Sequence, residues 1–325
     1  MSKAVRIHNT GGPEVLRWED VNVAAPANGE VRLRQTAVGL NFIDTYHRSG
    51  LYPIEALPTA IGMEGAGVVE ETGEGVEELQ VGDRVAYAGG PIGSYAEART
   101  FPAARLVRLP DGIDDRQGAA LMLKGLTTHY LIRRCYPVNP GDTILVHAAA
   151  GGVGLMLCQW ARHLGATVIG TVSTPEKAKL AAEHGCDHPI LYREENFVDR
   201  VRELTDGEGV PVVYDSVGRD TFDGSLDCLR PLGLMVTFGQ SSGSVPPLAV
   251  HELTSHGSLF LTRPTLATYT ATREQLTANA TELFELVESG VMKIEINQTY
   301  ALQDAAQAHD DLESRKTTGA TVLLP

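Results

Sequence analysis

The chain has 325 residues, of which 43% are hydrophobic and 21% are charged, and its net charge is −14. These values are typical of a globular protein with room for two domains, and the acidic balance argues against a nucleic-acid partner, which requires a basic surface. No apolar run reaches membrane-spanning length, no apolar leader precedes the first strand-like segment, and the four cysteines lack CxxC or metal-finger spacing, so we expect a reduced, cytoplasmic protein.

The pattern of apolar residues divides the chain into three parts. Residues 1–120 are strand-like and rich in turns. Residues 123–260 alternate between short apolar strands and amphipathic helices. The last part has helical spacing over residues 273–289 and a closing strand over residues 320–324.

The middle part predicts a doubly wound parallel sheet, because strands and helices alternate in it regularly. The predicted strands are residues 143–147, 167–171, 210–215 and 234–238, and the predicted helices are residues 152–164 and 175–184. Thr174 is the expected N-cap of the second helix, and Pro175 is its first residue. Cys158 lies in the apolar pattern of the first helix and is expected in the core.

A glycine-rich turn follows the strand at residues 143–147 and opens the next helix. Glycines allow a sharp turn and a close backbone approach to a pyrophosphate, and the helix N-terminus offers N–H donors to that anion. The residues expected to hold a dinucleotide here are Gly151, Gly152, Val153 and Gly154. Ala149 stands where the usual GxGxxG pattern has its first glycine. The alternative is a βα turn that binds no ligand.

The end of the second strand indicates which dinucleotide binds. NAD sites place an acidic residue there, against the ribose 2′-OH, but residues 171–174 contain none. Lys177 lies in the first turn of the next helix, where a cation opposes the helix dipole unless a phosphate lies nearby. Ser173 is a further donor for such a 2′-phosphate. We therefore predict NADPH rather than NADH, the alternative being that Lys177, beside Glu176, is a solvated helix residue.

Several motifs together identify a family resemblance. Residues 62–69 read Gly-Met-Glu-Gly-Ala-Gly-Val-Val and residues 81–85 read Val-Gly-Asp-Arg-Val. With the glycine-rich turn, they resemble the GxExxGxV and GDRV motifs of the medium-chain dehydrogenases/reductases. Residues 39–44, 48–53, 213–218 and 312–315 resemble the quinone oxidoreductase branch that includes zeta-crystallin. The resemblance extends from end to end.

The resemblance implies an α/β protein of two domains, with the site in the cleft between them. Residues 1–122 and 262–325 would form a mostly β, GroES-like catalytic domain, and residues 123–261 would form a Rossmann-type dinucleotide-binding domain. The resemblance also implies a homodimer. The apolar stretch at residues 257–262 is then either a sheet-edge strand that pairs across a two-fold axis or an internal strand of the dinucleotide sheet.

Two substitutions predict that no catalytic zinc is bound. Zinc alcohol dehydrogenases of this superfamily carry a cysteine and a histidine where this chain has Asn41 and Met63, and a neutral amide and a thioether are poor zinc ligands. The four-cysteine structural zinc lobe is also missing. Zinc held by Asp44 and His47 is the alternative. Without a Lewis acid, the chemistry favours an acceptor that takes hydride easily, such as a quinone or an alkene conjugated to a carbonyl.

Candidate catalytic residues cluster after residue 40. Asn41 is expected beside nicotinamide and substrate, where its amide bonds a quinone oxygen or a ribose hydroxyl; the alternative is a buried loop cap. Asp44, Tyr46 and Tyr52 lie close to it in sequence, and a tyrosine there can stack on a flat acceptor or donate a proton. Ordinary packing is the alternative for both tyrosines.

Further cofactor contacts come from the resemblance and from the carboxyl edge of the sheet, where open α/β folds bind ligands. The resemblance assigns Thr127 to the cofactor, Tyr192 to the region of the adenosine 2′-phosphate and Arg315 to a second contact with that phosphate. The edge of the sheet adds Ser216, Phe238, Gly239 and Ser241. His147, which ends a predicted buried strand, is expected to be a satisfied core histidine.

The predicted function is hydride transfer from NADPH to a quinone without zinc. Reduction of an activated C=C bond in an enal or enone is the first alternative, since it uses the same site. A crystallin-like structural or RNA-binding role is an alternative of another class, and the acidic charge disfavours the RNA-binding part of it.

Overall fold

The structure is a computed structural model that describes residues 2–325. The strands are β1 (Ser2–Ile7), β2 (Arg17–Val21), β3 (Glu30–Leu40), β4 (Thr59–Ala60), β5 (Glu64–Thr72), β6 (Arg84–Ala88), β7 (Ala98–Pro102), β8 (Val107–Arg108), β9 (Thr143–Val146), β10 (Thr167–Val172), β11 (His188–Leu191), β12 (Val210–Asp215), β13 (Leu229–Thr237), β14 (Phe260–Thr262), β15 (Ile296–Ala301) and β16 (Ala320–Leu324).

The α-helices are α1 (Phe42–Ser49), α2 (Asp115–Tyr130), α3 (Gly152–His163), α4 (Pro175–Glu183), α5 (Phe197–Leu204), α6 (Phe222–Cys228), α7 (His251–Ser255), α8 (Leu266–Tyr269), α9 (Arg273–Glu288) and α10 (Ala305–Glu313). A π-helical turn at Leu131–Cys135 continues α2. The predicted helices at residues 152–164, 175–184 and 273–289 and the closing strand at residues 320–324 are confirmed within one residue at each end.

The chain folds into two compact units. The first unit contains the chain up to Leu126, Tyr269–Ser289 and Ile294–Pro325, and the second contains Thr127–Thr268 and Gly290–Lys293. Each unit has its own sheets and apolar core. The domain boundaries predicted after residues 122 and 261 stay predictions about where independent domains begin and end.

The first unit is mostly β, as the sequence predicted for this part of the chain. One sheet has the order β2-β1-β4, and a seven-stranded sheet has the order β15-β16-β3-β5-β6-β8, with β7 also paired to β3. Strand β3 is central, since it pairs antiparallel with β16, β5 and β7. Its side chains alternate, with Val31 and Leu33 fully buried between more exposed neighbours, which is the period-two pattern of a half-buried strand. Strand β3 ends at Leu40, and Asn41 and helix α1 follow directly.

The second unit confirms the doubly wound parallel sheet. Its strand order is β11-β10-β9-β12-β13-β14, and every pairing is parallel. The strands read as near-continuous apolar runs because helices cover both faces of such a sheet. Strand β13 begins at Leu229, five residues before the predicted start at residue 234, although Pro231 and Gly233 interrupt the apolar pattern. Parallel pairing with β12, which includes a register shift after Val210, accommodates these residues.

The order of the strands fixes where a ligand can bind. The strand sequence reverses direction between β9 and β12, and a crevice opens outside the carboxyl ends of two strands at such a switch point. The segments that follow Val146 and Asp215 therefore emerge side by side at this edge. Both segments carry residues that the sequence predicted to bind cofactor.

Local predictions about helices α3 and α4 are also confirmed. Cys158 is fully buried in α3, as expected for a core residue. The Thr174 hydroxyl accepts a hydrogen bond from the Lys177 N–H at 3.3 Å, so Thr174 is the N-cap of α4. This cap holds the first turn of α4, and with it Lys177, at a defined place after β10.

The apolar stretch at residues 257–262 ends in strand β14 at the edge of the parallel sheet. It pairs with β13 on one side only. Phe260 and Leu261 are exposed on it. An exposed apolar edge strand is a ready template for pairing with another chain.

Two further findings bear on the environment of the protein. No helix within residues 2–325 is long and apolar enough to cross a membrane. The four cysteines are thiols rather than disulfides, and three of them, Cys158, Cys186 and Cys228, are buried.

The free energy of unfolding should depend strongly on the valines of the buried parallel sheet. Val213 on β12 is fully buried, whereas Val250 is 80% exposed. Val213→Ala should lower the free energy of unfolding by roughly 2 kcal/mol, because it removes buried methyl groups and leaves a cavity. The same change at Val250, the matched control, should leave the value within about 0.5 kcal/mol of wild type. Urea unfolding followed by circular dichroism measures both, and equal effects would contradict the assigned core.

Candidate active site

The glycine-rich turn has a backbone shape suited to an anion. It leaves β9 at Val146 and enters α3 at Gly152. Ala148 adopts a left-handed conformation, with φ of 54°. The Gly151 N–H donates to Ala148 O at 2.9 Å, and the Ala149 N–H donates to Thr171 O on β10 at 3.1 Å. The turn is therefore held from inside and from the neighbouring strand.

Gly154 explains the close packing of α3 on this turn. A β-carbon at position 154 would lie 2.3 Å from Ala148 O, which no side chain tolerates. The N-cap, Gly151, offers no side-chain cap to the first turn. The N–H groups of Gly152 and Val153 belong to the turn whose donors lack intrahelical partners. These features fit a bound pyrophosphate, because its oxygens accept from such N–H groups and lie at the positive end of the helix dipole.

His147 is confirmed as a satisfied core histidine directly beneath the turn. Its ring nitrogens lie 2.9 Å from the hydroxyl oxygens of Thr171 and Ser225. Burial lowers the pKa of His147 below its usual value, while the Asp215 carboxylate acts in the opposite direction. The neutral ring therefore links β9, β10 and α6 at the carboxyl edge of the sheet.

The residues predicted near a 2′-phosphate lie at the ends of β10 and β11. Ser173 follows β10 directly and is half-buried, and Lys177 is half-buried in the first turn of α4. Tyr192 follows β11 and is exposed, and its N–H donates to Val172 O at 3.2 Å. Residues 171–174, at the end of β10, include no carboxylate side chain. Three of the four residues predicted for this part of the cofactor, Ser173, Lys177 and Tyr192, thus belong to the second unit, and the fourth, Arg315, belongs to the first.

The second loop at the switch point is organised by a residue that sequence reasoning missed. The buried Asp215 carboxylate accepts from the Val217 and Gly218 N–H groups at 2.7 and 3.0 Å. It also accepts from the Thr221 hydroxyl at 2.8 Å. An aspartate at the end of a buried strand was the available signal, since a buried charge must be bonded. Asp215 gives the loop that begins at Ser216 a fixed shape.

The predicted residues after β13 contact this same loop. The Phe238 N–H donates to Asp215 O at 2.8 Å, and the Ser241 N–H donates to Ser216 O at 3.2 Å. A β-carbon on Gly239 would lie 2.5 Å from Ser216 O, so the close approach that Gly239 permits is to the Ser216 backbone. The contact of Gly239 with the cofactor stays a prediction.

Asn41 occupies the junction between β3 and α1. It is the N-cap of α1, and the Asp44 carboxylate accepts from its backbone N–H at 2.9 Å. The side-chain nitrogen of Asn41 donates to Glu64 Oε2 at 2.8 Å. The buried-cap alternative is thus part of the structure, and the predicted contact of the Asn41 amide with a ligand remains a prediction.

Glu64 and Lys124 form a buried ion pair that the sequence did not predict. The Lys124 ammonium lies 3.0 Å from Glu64 Oε2, and the Leu123 N–H donates to Glu64 Oε1 at 2.6 Å. Gly39 pairs with Glu64 across β3 and β5, and a β-carbon at position 39 would lie 2.2 Å from Glu64 Oε2. The glycine therefore makes room for the carboxylate.

Asp44 lies in a buried polar network rather than on a surface. Its Oδ2 accepts from the Tyr95 hydroxyl at 3.1 Å, and that hydroxyl lies 2.9 Å from His309 Nε2. His309 Nδ1 lies 3.0 Å from Arg48, which is ion-paired to Glu313 at 2.8 Å. Burial raises the pKa of Asp44 to about 7 and lowers the pKa of His309 to about 3. Asp44 is therefore largely protonated below pH 7, and His309 is neutral near pH 7.

The two predicted tyrosines pack against each other. Their ring centroids are 5.3 Å apart in an edge-to-face arrangement, and the Tyr52 N–H donates to Tyr46 O at 3.0 Å. Tyr46 is buried against Phe42, whereas Tyr52 is half-buried. Both rings thus pack against neighbouring aromatic rings, and a contact of either tyrosine with a substrate stays a prediction.

The remaining predicted residues lie in different places. Thr127 is buried in α2 within the second unit. Arg315 follows α10 in the first unit, where it is exposed and has a φ of 59°. Asn41 and Met63 stand where zinc dehydrogenases have ligands, and no group of three His, Cys, Asp or Glu side chains in residues 2–325 is arranged to hold a metal ion.

Comparison with known proteins identifies the class and the family to which the chain belongs. Residues 27–111 match the alcohol dehydrogenase GroES-like domain, and residues 152–277 match the zinc-binding dehydrogenase domain, which together define a medium-chain dehydrogenase/reductase. Quinone oxidoreductase of Pseudomonas aeruginosa is 57% identical over 100% of both chains. The crystal structure of Escherichia coli quinone oxidoreductase complexed with NADPH is 49% identical, with a TM-score of 0.98 over 99% of this chain and 100% of that chain.

A third relative has a different printed activity. The 2-haloacrylate reductase of a Burkholderia species is 47% identical over 100% of this chain and 99% of its own length. The chain belongs to the quinone oxidoreductase family of the medium-chain dehydrogenases/reductases, which confirms the resemblance found in the sequence.

The raised pKa of Asp44 predicts a pH-dependent stability. Between its usual value near 4 and the folded value of about 7, the unfolded chain has released the Asp44 proton and the folded chain has not. The contribution of Asp44 to the free energy of unfolding should therefore fall by about 2 to 3 kcal/mol from pH 5 to pH 8.

The difference between Asp44→Asn and wild type isolates this effect. Measured by urea unfolding at each pH, the stability of the variant relative to wild type should rise over that interval. Asp223→Asn, a change at an exposed position on α6, is the control and should give a flat difference. A flat difference for Asp44→Asn would show that Asp44 is ionised in the fold.

Proposed function

We propose that the protein is an NADPH-dependent quinone reductase that works without zinc. The observation that carries this proposal is the match, over nearly the whole of both chains, to a quinone oxidoreductase whose structure was solved with NADPH. The site agrees with it on physical grounds, because the turn before α3 suits a pyrophosphate and the end of β10 lacks the acid that favours NAD.

The residues that would hold the cofactor fall into groups by the part of NADPH they suit. The turn at residues 151–154 suits the pyrophosphate. Ser173, Lys177 and Tyr192 suit the adenosine 2′-phosphate, because two donors and an aromatic ring follow β10 and β11, where an acid would repel it. Arg315 would add a second cation for that phosphate. Asn41, Thr127, Ser216, Phe238, Gly239 and Ser241 would contact the nicotinamide portion.

NADPH, when bound, supplies the hydride that reduces the acceptor. The chain supplies the rest. Tyr52 offers a half-buried ring to a flat acceptor and a hydroxyl as one source of the proton that completes reduction to the hydroquinone. Asp44 would act indirectly. Its hydrogen bonds lie within the protein, and its carboxyl group accepts from the backbone N–H of Asn41. A quinone needs no Lewis acid to accept hydride, which agrees with Asn41 and Met63 at the zinc-ligand positions.

Reduction of an activated C=C bond is the second candidate. The relative named 2-haloacrylate reductase favours it, since an acrylate is an alkene conjugated to a carboxylate and 47% of its residues are shared. Hydride addition to such an alkene also needs one proton, and the same tyrosine would provide it. The two candidates therefore differ in acceptor, not in cofactor.

We also propose that the chain forms a homodimer in a reducing, cytoplasmic environment. The exposed edge of β14, with Phe260 and Leu261, is the surface best suited to pairing with a second copy. Three buried thiols agree with a reducing compartment.

The role of Lys177 predicts a cofactor-specific effect. Lys177→Ala should raise the KM for NADPH about tenfold, because it removes a charge-assisted contact with the 2′-phosphate, and leave the KM for NADH unchanged. Lys179→Ala, on the same helix and exposed, is the matched control and should alter neither value. Equal effects of Lys177→Ala on both cofactors would contradict the assignment.

A panel of acceptors separates the two candidate reactions. Steady-state NADPH oxidation should be fast with 1,4-benzoquinone and naphthoquinones, and at least about tenfold slower in kcat/KM with enones and 2-haloacrylates. Wild-type protein is the only sample needed, with each acceptor incubated without protein as the control. Turnover of enones with no turnover of quinones would replace the first candidate by the second.

A further inference from the structure

Two donors from different elements converge on one carboxylate oxygen in the first unit. Asn41, at the start of α1, donates its side-chain N–H to Glu64 Oε2 at 2.8 Å, and the Lys124 ammonium on α2 reaches the same oxygen at 3.0 Å. Asn41, Glu64 and Lys124 are all buried, and Glu64 is inaccessible to solvent. These three residues are called the Asn41 triad below.

The charge of Glu64 decides which way the amide of the Asn41 triad points. An ionised carboxylate only accepts hydrogen bonds, so the amide nitrogen must face it and the amide oxygen must face away. The second hydrogen of the same nitrogen is directed to Gly39 O at 3.4 Å. Both donor hydrogens of the Asn41 side chain are thus engaged inside the protein. Its oxygen, Oδ1, faces the Asp44 N–H in the capping box of α1 and has a second lone pair with which it can accept from a ligand.

The surroundings keep Glu64 charged and in place. Lys124 compensates its charge, and the Leu123 N–H donates to its other oxygen at 2.6 Å. Replacing the carboxylate by an amide would put an NH2 group against one of these donors, which leaves a buried donor without an acceptor. Gly39 leaves the space that the carboxylate occupies.

We infer that Glu64 is a positioning residue that fixes Asn41 as a hydrogen-bond acceptor, so that Asn41 binds a hydroxyl of the ligand. This inference rests on the proposed function, in which the ligand hydroxyl that fits is one on the nicotinamide ribose of NADPH. The carbonyl oxygen of an oxidised quinone is itself an acceptor and cannot bond to Oδ1. Of the two partners expected for Asn41 from the sequence, the ribose hydroxyl is therefore the one selected.

Exchanging the two functional groups tests the inference. Glu64→Gln alone allows the Asn41 amide to turn over, and Asn41→Asp alone sets two carboxylates against each other. The double variant N41D/E64Q moves the charge from position 64 to position 41. It restores a donor facing an acceptor and still presents an oxygen to the ligand.

The readout is the Kd of NADPH for the full chain, measured by fluorescence titration at pH 8, with thermal unfolding of each variant alongside. Each single variant should bind NADPH about tenfold more weakly, and the double variant should return to within about threefold of wild type. Asp115→Asn is the control: it alters another charged pair on α2, with Arg84, and should leave the Kd unchanged. A folded double variant that binds as weakly as the single variants would overturn the inference, because its carboxylate at position 41 still offers the ligand an acceptor oxygen.

A second measurement tests the inference even if the double variant does not fold. NADPH and an analogue lacking the 2′- and 3′-hydroxyls of the nicotinamide ribose are titrated into wild type and Asn41→Ala. Wild type should bind the analogue about tenfold more weakly than NADPH, and Asn41→Ala should bind the two within about threefold of each other. Equal losses in both proteins would contradict a bond between Asn41 and the ribose. Failure of wild type to bind NADPH at all would instead refute the proposed function.

Discussion

Buried charge is the constraint on which the first unit depends. Two carboxylates, Glu64 and Asp44, are inaccessible to solvent, and an unpaired buried charge costs several kcal/mol. The two carboxylates are stabilised in different ways. Glu64 is compensated by the Lys124 ammonium, whereas burial raises the pKa of Asp44 to about 7 and its carboxyl group is bonded to Tyr95 and to the Asn41 backbone.

These two solutions explain the local structure around the candidate site. Because Glu64 must accept from every neighbour, the orientation of the Asn41 amide is set before any ligand binds. Because Asp44 caps the Asn41 N–H, the start of α1 is fixed as well. Residues Tyr95, His309 and Arg48 extend this order to α10, and Arg48 links it to the half-exposed Glu313. In the proposed function this preorganised cluster stands where zinc dehydrogenases hold a metal.

The fold was largely predictable because its signals are local. The alternation of apolar strands and helices indicated the parallel sheet, and Thr174 and Pro175 marked the start of α4. The dinucleotide turn could be located from its glycines, since Gly154 is required by backbone contacts within a few residues of it. Strand β13 was predicted too short because Pro231 and Gly233 carry a turn signal that pairing with β12 overrides.

The charged cluster was not predictable, because its residues are brought together only by the tertiary fold. Glu64, Lys124 and His309 are far apart in the sequence, and nothing in their immediate neighbours indicates that β5, α2 and α10 bring them to α1. Asp215 was missed in the same way, although its position at the end of a buried strand was a usable signal. Sequence reasoning selected Asn41 and Asp44 as candidates, but it could not assign the direction of a hydrogen bond.

In the proposed function, the chain's own residues balance the charges of the site, so that catalysis needs no metal ion. The most direct test compares NADPH-dependent quinone reduction before and after dialysis of the protein against a strong chelator. We expect the same kcat and KM in both samples and no increase when Zn²⁺ is added. Activity that is lost on dialysis and restored by Zn²⁺ would contradict it.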